Sequence, residues 1–163
     1  SQNEFFIMLN ALLVSRQQQL VSAYKLLLNG MYAAGSADKI VHLAQEATAS
    51  GVVLQLDSLL VAAASNIDLG KISAANSYLN MAINSGAKVN ISENHKGRII
   101  VLASRAGHIM LNHGYIDEAR ALVNATGEIK VESLNHRMLQ LELRAHLLAK
   151  SNDSPADAEA PLR

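Results

Sequence analysis

The chain has 163 residues, enough for one domain with a buried core. Half of the residues are apolar but only 4% are aromatic, and fourteen basic residues balance fourteen acidic ones, so no net field draws the chain to nucleic acid or an anionic membrane. With no cysteine, disulfides, thiol catalysis and Cys-based zinc sites are excluded, while the compartment stays unidentified.

The apolar mass is Leu, Ala, Ile and Val, and both prolines fall in the last nine residues. Leu and Ala favour helix, so an all-α fold is expected. Glu4 to Leu28 carries a helical pattern in Phe6, Leu9, Leu13, Leu20, Tyr24 and Leu27. Arg16 to Gln19 and Asn29-Gly30 are the places where it can break. Phe5 to Val14 is apolar apart from Asn10, but ten residues are too few to span a bilayer, and the run lacks the basic flank of a signal peptide.

Gly35 ends this first segment, and Ser36 or Asp38 can cap the next helix, which runs to about Ala49. Leu54 to Leu69 and Ile72 to Asn84 follow, with Gly70 between them. Gly86 to Glu93 is the longest loop. Lys96 to His113 then pairs with Ile116 to Ala125. Leu134, Met138, Leu141, Ala145 and Leu148 alternate four and three apart. That one-sided helix, reaching about Lys150, is expected to hide the last apolar face of a stack. Ser151 to Arg163 has almost nothing to bury and reads as a flexible tail.

One pattern recurs along this order. Gly70 is followed by Ile72, Ala75, Leu79 and Ala82, and Gly114 by Ile116, Ala119, Val123 and Thr126. A fainter copy is Gly35 with Ala37, Ile40, Ala44 and Ala47. A turn glycine followed by small and apolar residues at helical spacing marks an αα-hairpin repeat.

The pattern resembles the tetratricopeptide repeat (TPR), in degenerate form, from about Val21 to Gly127. The usual closing proline is absent, Val52 and Ala87 standing near its places, and Tyr24, Leu59 and Ala103 replace the early tryptophan. The resemblance implies TPR-like antiparallel helical hairpins stacked as a short right-handed superhelix. One domain would cover residues 1–150, with hairpins at about 21–50, 54–85 and 96–127 and a capping helix over 130–150. Gly70-Lys71, Ala82 to Gly86 and the helix ending at Gly114 also resemble the helical C-terminal part of ToxR-type membrane-bound transcription activators.

No His-Glu-x-x-His motif, Gly-x-Ser-x-Gly elbow or phosphate-cradling glycine loop is present. His108 and His113 fall on different sides of a helix, and His136 and His146 lack ligand-spaced partners. A non-enzyme with neither metal nor cofactor is therefore expected. The TPR resemblance implies that the first helix of each hairpin lines a concave groove. Lys25, Asn29 and Tyr32 would come from the first hairpin, Leu60 from the second, and Arg105 and His108 from the third. One TPR subgroup holds a peptide's C-terminal carboxylate in this groove. Lys25, Asn29 and Arg105 fall on three of its five positions, Val61 and Val101 on the other two, and Asp57 would repel a carboxylate.

The expected function is protein–protein interaction, as an adaptor, scaffold, chaperone or regulatory module that docks a peptide or partner helix. It involves no direct nucleic-acid contact and no membrane span in this chain, and it is compatible with a homo-dimer. The alternative is a sensory or effector-binding helical domain of a bacterial transcription regulator, with a small molecule between hairpins.

Overall fold

Residues 66–71 show how the sequence builds the molecule. Gly70 adopts φ +73°, a left-handed conformation that costs glycine nothing. Its N–H donates to the Ile67 carbonyl, and the Lys71 N–H donates to the Asn66 carbonyl at 2.8 Å. These two bonds satisfy carbonyls that the ending helix leaves open and turn the chain back on itself. The same pair of bonds recurs around Gly114, from Gly114 to Leu111 and from Tyr115 to Met110. The turns after Tyr32 and Thr48 follow the same scheme.

The computed structural model describes residues 1–87 and 90–152. Among these residues the protein is all-α, with seven helices and no strand. They are α1 (Gln2–Ala33), α2 (Ala37–Ala49), α3 (Leu56–Asp68), α4 (Ile72–Ala87), α5 (Glu93–Asn112), α6 (Ile116–Gly127) and α7 (Leu134–Asn152). The expected tail lies outside the described residues except for Ser151 and Asn152, which end α7.

Each helix packs on the next one, each except α2 also on the next but one, and none on anything further along the described chain. Such nearest-neighbour packing is quasi-one-dimensional. The two layers differ. α1, α3, α5 and α7 each touch the following member of their series, whereas no Cα of α2 comes within 8 Å of α4. α3 sits at the centre and is buried continuously from Ser58 to Ile67. Ala75 and Ala119, the small residues of the two strong repeats, are completely buried.

Three details differ from the sequence reading. α1 runs unbroken through Arg16 to Gln19 and through Asn29-Gly30. From Gln2 to Leu20 it is exposed throughout and carries bare apolar side chains from Phe5 to Val14. α5 begins one turn earlier than Lys96, because the Ser92 hydroxyl accepts the His95 N–H at 3.2 Å and caps the helix. Ser36 occupies the N-cap of α2 but makes no side-chain cap bond.

α7 is the larger correction. Leu134, Met138, Leu141 and Leu148, expected to face the stack, are exposed, and Ala145 is exposed with them. Leu143 and Leu147 are buried instead, from the opposite side of the helix. The physical reason lies in α5. A Cβ built on Gly107 would stand 2.6 Å from Leu143 Cδ1, and one on Gly97 would run into the His136 ring. The two glycines open seats in α5, and the α7 side chains that fit those seats are His136 and Leu143.

Candidate partner-binding face

The odd-numbered helices bring together side chains far apart in sequence. A cleft of about 330 Å³ crosses this layer. Its lining includes Tyr32 from α1, Leu60 and Ala64 from α3, Val101 and Arg105 from α5, and His136 from α7. Leu60 is completely buried and forms the floor, while Tyr32, Val101 and Arg105 are exposed at the rim. Of the six residues singled out from the sequence, Tyr32, Leu60 and Arg105 therefore share one site.

The other three stand apart from that lining. Lys25 Nζ lies 3.8 Å from Asp57 Oδ2, at the first turn of α3. Asn29 is exposed, one helical turn beyond Lys25. His108 is taken up by α7, its Nδ1 standing 2.6 Å from Nδ1 of His146 with the two rings stacked. Arg105 also has a partner, donating to Asp68 Oδ1 at 2.7 Å. Lys25 and Arg105 each face an aspartate, so the cations of the implied carboxylate clamp are not free to converge on one acceptor.

Asp57 holds the upper end of the face together. Its Oδ1 is 2.8 Å from both His95 Nε2 and Arg98 Nη1. Burial pushes the Asp57 carboxyl up, but the hydrogen bonds and charges of His95 and Arg98 together outweigh it and hold the group below its ordinary value. Ser92 Oγ lies 2.9 Å from His95 Nδ1, so the imidazole is fixed on both nitrogens. The cluster spans α3 and α5, about forty residues apart in the chain. Sequence reading saw in Asp57 a groove residue that would repel a carboxylate, weighed His136 only as a metal ligand, and passed over Arg98 and His95. The one local signal was Gly97, a glycine inside a helix that permits a close approach.

Among the described residues no three His, Asp or Glu side chains gather closely enough to hold a metal ion. No helix of the structure is long and apolar enough to cross a membrane. A second cleft, of about 550 Å³, lies between hairpins and is lined by Ile72 and Asn76 of α4, Ile109 and Met110 of α5, and Tyr115 and Glu118 near the start of α6. Protein-family models, curated proteins and solved structures contain no match to this chain.

Proposed function

We propose that this chain is a TPR-like interaction module that docks a peptide or partner helix on the face built by α1, α3, α5 and α7. The observation that carries the reading is the convergence of Tyr32, Leu60 and Arg105, from three helices, on one cleft. An apolar floor beneath an aromatic ring and a guanidinium is the composition of a binding hot spot. The unequal layers support a concave side here, because the odd helices touch in series while α2 and α4 are spread apart. The same cleft has apolar wall in Ala64 and Val101, which suits a segment with one apolar anchor, while Arg98 and Arg105 at its rim are paired with Asp57 and Asp68. An adaptor, scaffold, chaperone or regulatory role follows from such docking.

The test begins with peptides selected on the full-length chain from a random display library. The double variant Tyr32→Ala/Arg105→Ala should bind them at least tenfold more weakly, about 1.4 kcal/mol, with its helical circular dichroism intact. Undiminished binding would move the interface elsewhere.

A second reading, an effector-binding domain of a transcription regulator, is favoured by the cleft between α4, α5 and α6. Its volume of about 550 Å³ lies within the range of small-molecule sites, and its walls mix apolar and polar side chains. Protection of Tyr115 and Ile109 amides from hydrogen exchange by a small molecule, with the odd-helix face unaffected, would favour that reading.

A further inference from the structure

α7 has two apolar sides, and the stack uses only one. The stripe Leu134, Met138, Leu141, Ala145 and Leu148 faces away from it, with Leu134 64%, Leu141 62% and Leu148 56% exposed. α7 touches α5 and α6 alone among the described helices: α5 lies on its Leu143 side, and α6 on the flank that carries Gln140 and Arg144. The spacing of the bare stripe, four, three, four and three, is that of a coiled-coil seam. Leucine occupies every d position of that heptad, at 134, 141 and 148, with Met138 and Ala145 at the a positions.

The flanking charges match the same arrangement. In this register Arg137 and Arg144 stand at g positions and Glu142 at an e position. In a parallel pair a g residue meets the e residue five places on in the partner helix, so Arg137 faces Glu142 of the other copy, twice by symmetry. In an antiparallel pair the g positions face each other and bring arginines together. All three side chains are exposed, Arg137 donating to the Glu132 carbonyl at 3.4 Å and both arginines bordering a cleft shared with α6.

We infer that α7 pairs with α7 of a second copy of this chain, as a parallel two-stranded coiled coil with each stack on the outside. Four large side chains at roughly 100 Å² each, with Ala145 and the arginine stems, cover about 500 Å² per copy. The pair then hides about 1,000 Å², the lower bound of a specific interface and the size of a weak, concentration-dependent dimer. The dimer would present two odd-helix faces on one particle and give avidity towards a bivalent partner.

The experiment is sedimentation equilibrium of the full chain across a concentration series. Wild type should approach about 35 kDa, twice the 17.5 kDa of one chain. Leu141→Glu should remain monomeric with an unchanged helical spectrum, because Leu141 is exposed at the edge of a cleft shared with α6 rather than buried in the stack. Arg137→Glu and Glu142→Arg should each weaken the dimer by roughly fivefold, and the two together should restore it. A single cysteine placed at Leu148, in a chain that has none, should oxidise to a covalent dimer only if the strands are parallel. Phe6→Glu/Leu13→Glu, on the bare part of α1, should leave the dimer unaffected. A monomeric wild type overturns the inference, and so does a dimer that survives Leu141→Glu or that loses its strength to the α1 variant instead. Failure of the charge swap to restore association, or of Leu148→Cys to cross-link, overturns the parallel register.

Discussion

His108 of α5 and His146 of α7 meet through their Nδ1 atoms at 2.6 Å, so one nitrogen donates and the other must accept. Protonating both rings would place two N–H groups against each other. His146 is held below the ordinary histidine value of 6.5, first by burial and then by the charges of His108 and Lys150. The unfolded chain therefore binds this proton more readily than the folded one. The stabilisation is complete above pH 6.5 and is lost as pH falls through the folded value. Thermal melts between about pH 7.5 and 5 should show wild type losing stability on acidification. His146→Gln should flatten that part of the profile. An identical slope in the variant would exclude this contact as its source.

The small residues of the repeats set how closely each hairpin closes. Ala75 and Ala119 are fully buried, so Ala75→Leu or Ala119→Leu should overpack its contact and cost roughly 1–3 kcal/mol. Denaturant titration measures this as a lower midpoint with unchanged slope. An unshifted midpoint in both variants would contradict the close packing of α3 on α4 and α5 on α6.

The first half of α1 contributes exposed surface and no core. Leu28 is its one fully buried residue, with Val21, Tyr24 and Met31 packed partly against the stack. Removing residues 1–18 should leave the melting temperature unchanged and reduce aggregation, because the bare run from Phe5 to Val14 goes with them. A large loss of stability on this truncation would show that the run packs against the stack in solution.

The hairpins were legible because their information is local. Gly70 and Gly114 specify turns by a backbone conformation that few residues adopt, and Ala75 and Ala119 specify close contacts by size. The all-α class follows from the same residues. What the sequence concealed was non-local. α7 carries apolar residues on two sides, and periodicity alone chose the longer stripe, Leu134 to Leu148. The choice is made in the structure by Gly97 and Gly107, some forty residues earlier, which leave room for His136 and Leu143. The site divides in the same way. Tyr32, Leu60 and Arg105 could be placed on a common face by repeat register, whereas the bonds from Asp57 to Arg98 and from His108 to His146 join residues 41 and 38 apart. No spacing rule within one helix reveals such pairs.

The most direct measurement of the interaction face is a heteronuclear NMR titration of the chain with a peptide selected on it. Docking on the odd helices predicts amide shift changes centred on Tyr32, Leu60, Ala64, Val101 and Arg105, with α2, α4 and α6 little affected. Shift changes centred on the even helices, with the cleft between α1, α3, α5 and α7 silent, would contradict the account.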